Sequence, residues 1–154
     1  MPDYLEKLWP TPWIYIASAM LIPGSTLVLA PVSMPAGIVT GVVLYLALVG
    51  SLAITTPVIE VQGGRLRAGR AEIALDDIGE ATPADEEQAR VERGTGLDAR
   101  AFLVIRGWIK PVVRVPVVDP ADPTPYWLIS TRRPKELAAA INRSRRPDVQ
   151  ESGA

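Results

Sequence analysis

The residue types on which most enzymes rely are missing from this sequence of 154 residues, which contains no histidine and no cysteine. Their absence excludes Ser-His-Asp and Cys-His catalysis, disulfides, and the usual ligand sets of zinc, haem and iron–sulfur centres. Carboxylates and carbonyl oxygens remain, and these suit magnesium or calcium at most. We therefore expect a protein that is not an enzyme and needs no cofactor; carboxylate-dependent metal chemistry is the one enzymatic route left open.

The most unusual local chemistry lies in the proline-rich run that contains Asp119, Asp122, Tyr126 and Trp127. Three prolines stiffen this loop, so its side chains could form a rigid recognition surface. The two carboxylates could also bind a divalent cation, although such ions usually take six to eight oxygen ligands. The alternative, which we favour, is a structural connection in which the aspartates cap turns and both aromatic rings enter the core.

Two further candidates, Arg132 and Arg133, lie with Lys135 at the predicted start of a helix. Cations beside free helix amides can bind an anion, such as phosphate or an anionic lipid headgroup. The alternative is a solvated face in which these residues pair with nearby acidic side chains, for example Glu136.

Charge is distributed very unevenly along the chain. The net charge is −1, which gives no basic field to favour nucleic acid. From Leu8 to Ile59 there is no charged residue, and nearly all of the charge follows. A run this long and uncharged predicts a membrane protein with a water-facing C-terminal part.

The uncharged run is too long for one membrane span of about 20 residues and suits two. Residues 13–29 and 37–56 are apolar, and Pro31 and Pro35 break the run between them. The sequence therefore predicts a transmembrane hairpin over 13–56, after an interfacial N-terminus at 1–12, with a kink at Pro23. A cleaved signal peptide is the competing interpretation of the first span, but the N-terminus is not basic and no small-residue cleavage site follows.

Basic residues close to the spans predict the orientation of the hairpin. Lys7 precedes the first span, whereas Arg65, Arg67 and Arg70 follow the second. The positive-inside rule then places both termini in the cytoplasm of a bacterial cell, with the hairpin in the inner membrane.

Within the second span, Gly37 and Gly41 form a Gly-x-x-x-Gly spacing that lets helix backbones approach closely. Such a spacing could mediate a homodimer. The favoured alternative is packing between the two helices of the hairpin, or a chance spacing in a glycine-rich segment.

Residues 57–143 predict a cytoplasmic, β-rich α+β domain. Alternating apolar residues indicate about six short antiparallel strands, and a helix is predicted over 134–143. This order is that of an antiparallel, pleckstrin-homology-like barrel with one C-terminal helix. Residues 84–93 could be a helix or a charged loop, and 144–154 is predicted to be a disordered tail.

The stretches Tyr4–Pro10 and Asp119–Pro134 resemble a family of small actinobacterial membrane proteins known as a domain of unknown function. The stretch Ile59–Ile78 also resembles bacterial pleckstrin-homology-like domains that follow a transmembrane hairpin. Neither resemblance implies an activity, a ligand or a catalytic residue, because a shared fold does not determine function.

These observations favour a membrane-anchored binding module whose ligand is a protein partner or a lipid headgroup. The alternative is a structural or regulatory subunit of a larger membrane complex, with the hairpin as its active element.

Overall fold

The computed structural model describes residues 1–145, which divide into two compact units. The helical unit is Trp9–Thr56, and the β-rich unit combines Met1–Leu8 with the chain from Pro57 on. The expected tail at 144–154 falls almost entirely outside the described residues; its first two positions continue the last helix.

The helical unit contains α1 (Pro12–Ala19), α2 (Leu21–Leu29) and α3 (Met34–Thr55). Helix α1 ends at Ala19 because Pro23, four residues later, has no amide hydrogen for the Ala19 carbonyl and its ring crowds that carbonyl. A kink was expected at Pro23, and the break between α1 and α2 lies about one helical turn before this proline.

Two stretches of the helical unit are long and apolar enough to cross a membrane, by length and composition. They are Pro12–Leu29, with 18 residues, and Met34–Thr55, with 22. Both begin slightly earlier than the predicted spans, because Pro12 and Pro35 occupy first-turn positions that tolerate proline.

The first sheet of the β-rich unit is an antiparallel meander of β1 (Tyr4–Lys7), β2 (Val58–Gln62), β3 (Arg65–Ala68) and β4 (Ala71–Ala74). Gly63 and Gly64, with φ of 57° and 74°, form the tight turn between β2 and β3. Strand β1 lies where the sequence indicated an interfacial N-terminus. Its short polar–apolar alternation pairs with β2, a partner that only the folded chain supplies.

The second sheet contains β5 (Thr82–Ala84), β6 (Phe102–Val104), β7 (Val112–Pro116) and β8 (Tyr126–Ser130), in the order β5-β7-β8-β6. Among the described residues, the same unit contains two α-helices, α4 (Glu86–Arg93) and α5 (Pro134–Arg145), and a short 3-10 helix at Leu75–Asp77. Strands β6 and β8 are parallel, and the other pairs are antiparallel.

The expectation of a closed, wholly antiparallel barrel is wrong for the described residues, which form two open sheets. The strands are only three to five residues long, too short to continue from one sheet into the other. An isolated bridge between Ile78 and Val117 lies outside the named strands.

Most of residues 84–93, for which the sequence allowed either a helix or a charged loop, form helix α4. Asp85 caps it, because its side-chain Oδ1 accepts hydrogen bonds from the amides of Glu87 (3.2 Å) and Gln88 (3.1 Å). Ala89 is the helix's buried residue, which is why an apolar stripe was hardly visible in the sequence.

The two faces of the second sheet pack against different partners, so β8 is buried along its whole length. One face shares the main core with the first sheet and α5; this core includes Ile59, Val61, Leu66, Val113, Val115, Trp127, Ile129, Leu137 and Ile141. The other face forms a smaller cluster with α4, made of Ala84, Ala89, Val112, Tyr126 and Leu128. Burial on both faces explains why the sequence YWLIS is an apolar run and not an alternating one.

Candidate functional site

The loop between β7 and β8 is held by its own aspartates. Asp119 accepts a hydrogen bond from the Ala121 amide at 2.8 Å, and Asp122 accepts one from the Thr124 amide at the same distance. The bond from Thr124 holds the pKa of the Asp122 carboxyl below its usual range. Each carboxylate thus stabilises a turn of the loop. Within residues 1–145 no group of three or more His, Cys, Asp or Glu side chains could hold a metal ion.

The two aromatic residues that follow the loop lie in the protein interior. Trp127 packs against Phe102, with ring centroids 4.7 Å apart. The Tyr126 hydroxyl accepts a hydrogen bond from the Asp98 amide at 2.8 Å and donates one to the Gly96 carbonyl at 3.2 Å. Tyr126 and Trp127 are only 3% and 5% exposed, so their rings offer almost no surface to a partner.

The two arginines before α5 belong to a junction between β1 and that helix. The Arg133 guanidinium donates to the Leu5 carbonyl at 3.2 Å, pairs with Glu136 at 3.0 Å and lies over the Tyr4 ring. The amide of Arg132 donates to Glu6 Oε1 at 3.0 Å. Arg133 therefore covers the free edge of β1.

At the centre of this junction is the buried carboxylate of Glu6, which is 7% exposed. Its Oε2 accepts hydrogen bonds from the hydroxyls of Tyr4 (2.7 Å) and Thr131 (2.5 Å). Burial raises the pKa of the Tyr4 hydroxyl to about 12, and the adjacent Glu6 adds to this effect. The sequence did not indicate Glu6 or Thr131 as site residues, because no local sequence pattern shows that two residues 125 positions apart are in contact.

Gly37 and Gly41 of α3 face α2. A Cβ at Gly37 would lie 2.7 Å from Thr26 Cα, and one at Gly41 would lie 2.6 Å from Ile22 Cα. The Ser25 hydroxyl also donates to the Gly37 carbonyl at 3.0 Å. Both glycines are thus occupied by packing within the hairpin.

A charged cleft of about 760 Å³ lies beside α4. We call it the α4 cleft; its lining consists of Glu86, Glu87, Arg90, Arg93, Gly94, Gly107 and Lys110. Its volume falls within the range of small-molecule sites. The α4 cleft is formed by α4 and by the segment between β6 and β7. Because these segments are separate in the sequence, the sequence did not predict the cleft. The available signal was the spacing of Arg90 and Arg93, three residues apart on one helix face.

Arg93 fixes the floor of the α4 cleft. Its Nη2 donates to the Ile109 carbonyl at 2.6 Å and to the Ser130 hydroxyl at 3.1 Å. Burial lowers the pKa of this guanidinium, and its Nε is buried with no hydrogen-bond partner among the described residues. The arrangement presents cations on a rigid support and is suited to holding an anion.

Comparison with known proteins gives one result. The family model described as "Protein of unknown function (DUF3093)" matches residues 3–141. The chain belongs to the DUF3093 family. No curated protein and no solved structure matches it.

The DUF3093 match extends from the start of β1 into α5. It therefore includes the helical unit, the Glu6–Thr131 junction and the whole lining of the α4 cleft. The family description names no ligand and no activity.

Proposed function

We propose that this DUF3093 chain is a non-enzymatic binding module anchored in the inner membrane of a bacterial, actinobacterial cell. The stretches Pro12–Leu29 and Met34–Thr55 cross the membrane as a hairpin. The β-rich unit lies on the cytoplasmic side and binds its ligand there, with the α4 cleft as its binding surface. A meander of four strands, a second sheet and a terminal helix support a distant relation to pleckstrin-homology-like modules, from which the parallel β6–β8 pair departs.

The pairing of β1 with β2 is the observation that carries this proposal. Lys7, the last residue of β1, lies opposite Val58, the first of β2, and the Leu8 amide donates to the Pro57 carbonyl at 3.1 Å. The chain thus leaves the sheet for the helical unit and returns to it at adjacent positions. A two-span hairpin meets this requirement, because both of its ends lie on one side of a membrane.

The surface of the helical unit supports insertion into lipid. Leu27, Val28 and Ile54 are 78%, 75% and 86% exposed. No charged residue occurs between Leu8 and Ile59. Such a continuous apolar surface is unfavourable in water and is covered by acyl chains in a bilayer.

The cytoplasmic assignment rests on where basic residues lie in the first sheet. The Gly69 amide donates to the Val58 carbonyl at 2.9 Å, so the β3–β4 turn shares the end of the sheet at which the hairpin is attached. This end carries the exposed cations Lys7 and Arg70. Basic residues close to spans favour the cytoplasmic side.

Single-cysteine labelling tests the proposal cleanly, because the natural sequence contains no cysteine. We would introduce Val32→Cys between α2 and α3, and Gln62→Cys at the end of β2. A membrane-impermeant maleimide added to intact cells is expected to label Val32→Cys, and to label Gln62→Cys only after permeabilisation.

Val39→Cys in α3 is the matched control. Val39 is 62% exposed, so this cysteine reacts readily if α3 lies in water and is protected if lipid surrounds it. Labelling of Val39→Cys at the rate of Gln62→Cys, or labelling of Val32→Cys and Gln62→Cys from the same side, would overturn the proposed anchoring.

A further inference from the structure

The three cationic side chains of the α4 cleft differ in whether a carboxylate neutralises their charge. Lys110 pairs with Glu86 at 2.5 Å, whereas the side chain of Arg90 has no ion pair or hydrogen bond within residues 1–145. No carboxylate in the described chain pairs with Arg93 either. Glu87 is the other carboxylate of the lining, so three cations face two anions. Within residues 1–145, Arg90 and Arg93 therefore have no carboxylate partner.

The position of Arg93 makes this imbalance informative. A guanidinium that is partly removed from water and lacks a counter-ion is destabilised, unless other groups compensate for its charge. The neutral acceptors Ile109 O and Ser130 Oγ provide part of this compensation. An anion in the cleft would provide the rest.

Access to the cleft depends on a weak ion pair. The side chains of Lys110 and Glu86 are 66% and 64% exposed, and ion pairs this exposed contribute little to stability. Lys110 can therefore exchange Glu86 for a ligand at small cost. Gly107 leaves open space at the wall, since a Cβ there would meet no atom within 4 Å.

We propose that the α4 cleft binds a phosphate group through Arg90, Arg93 and Lys110. Phosphate fits because guanidinium groups bind its oxygens with paired, charge-assisted hydrogen bonds, and a lysine adds a point charge. The group is carried either by an anionic lipid headgroup or by a soluble phosphate compound. This inference rests on the proposed function, because it names the ligand chemistry of the proposed binding module.

Calorimetric titration of the full-length chain in uncharged detergent tests the site. The two probes are inorganic pyrophosphate and a short-chain phosphatidylglycerol. Arg90→Gln and Lys110→Gln are each expected to weaken binding about tenfold, since a charged hydrogen bond contributes more than a neutral one. Both side chains are exposed, so their replacement leaves the fold intact, whereas replacing Arg93 removes contacts to Ile109 and Ser130.

Two further variants separate a specific site from general charge attraction. Arg67→Gln removes the same charge from the exposed face of the first sheet and is expected to leave binding unchanged. Glu86→Gln is expected to strengthen binding, because it removes the anion that competes for Lys110. Tighter binding of the lipid probe identifies a headgroup as the source, and tighter binding of pyrophosphate identifies a soluble compound.

Absence of binding to both probes would overturn the phosphate site, as would equal weakening by Arg67→Gln and Arg90→Gln. Neither result alters the cysteine-labelling pattern, so failure of this site and failure of the proposed anchoring are distinguishable.

Discussion

Glu6 accepts a hydrogen bond from the hydroxyl of Thr131, which lies 125 positions further along the chain, at 2.5 Å. Glu6 belongs to the strand before the helical unit, and Thr131 precedes the last helix. The Thr131 hydroxyl also accepts a hydrogen bond from the Arg133 amide at 3.0 Å, close to the start of α5. One buried polar contact therefore joins β1 to the start of α5.

A double-mutant cycle measures this contact. Glu6→Gln and Thr131→Val each remove part of a buried network, and each is expected to lower the free energy of unfolding by about 2 kcal/mol. The double variant is expected to lose about 1 kcal/mol less than the sum, because the two groups act on each other. Chemical denaturation in detergent gives these values.

Leu5→Thr is the control for the strand itself. Leu5 is 54% exposed, so we expect a change within about 0.5 kcal/mol. Strictly additive effects of the Glu6 and Thr131 variants would show that the contact does not contribute to stability.

Tyr4 is expected to make the free energy of unfolding depend on pH under alkaline conditions. Burial raises the pKa of its hydroxyl to about 12, whereas the unfolded chain titrates near the ordinary value of 10.0. Above pH 10 the unfolded state loses this proton and the folded state keeps it. The stabilising contribution is therefore complete below pH 10 and is lost as the pH rises towards 12.

The corresponding measurement compares unfolding of the natural chain and of Tyr4→Phe between pH 9 and 12. The difference between them is expected to shrink as the pH rises through this window. A difference independent of pH would mean that Tyr4 titrates normally in the folded chain.

A further prediction concerns Asn142 in α5, whose side-chain amide satisfies the backbone of Ala81. Asn142 Oδ1 accepts from the Ala81 amide at 2.8 Å, and Nδ2 donates to the Ala81 carbonyl at 3.0 Å. Asn142→Ala leaves both groups without their partner and is expected to cost about 2 kcal/mol of unfolding free energy.

Asn142→Asp keeps the acceptor for the Ala81 amide but places a carboxylate oxygen against the Ala81 carbonyl, so it is also expected to destabilise the chain. Lys135→Ala on the exposed face of the same helix serves as the control for helix substitutions. If Asn142→Ala is as stable as Lys135→Ala, water replaces the amide and the contact is dispensable.

The hairpin glycines give a prediction that separates internal packing from dimerisation. Gly41→Leu places side-chain atoms against the backbone of Ile22, and we expect loss of the folded hairpin and of monodisperse protein in detergent. Gly50→Leu is the matched control, because a Cβ at Gly50 meets nothing within 4 Å. A well-folded Gly41→Leu chain that changes only from dimer to monomer would contradict this prediction.

Part of the fold was accessible from the sequence because its signals are local. The two apolar stretches, the break at Pro31 and Pro35, and the start of α5 at Pro134 all follow from composition and from residues within one helical turn. The Gly63–Gly64 turn was readable for the same reason, since positive φ favours glycine. The aspartate-capped loop at Asp119 and Asp122 was likewise anticipated as a structural alternative.

Strand β1, the burial of Glu6 and the α4 cleft could not be predicted from the sequence, because each depends on contacts between distant segments of the chain. The strand character of Tyr4–Lys7 requires β2, and the burial of Glu6 requires Thr131. The α4 cleft requires Lys110 to lie beside Arg90, although the two belong to different elements. No local pattern encodes such neighbours.

The sequence by itself determined the position of the long apolar, uncharged stretch from Leu8 to Ile59. A stretch of this kind is unfavourable in water however the rest of the chain folds. It also determined that histidine and cysteine chemistry is absent. Only the tertiary structure decided that the helical unit is inserted between two paired strands. It also decided that Arg93 lies partly buried with no carboxylate partner among residues 1–145. Pairing and burial depend on which distant residues come together, and those contacts exist only once the chain has folded.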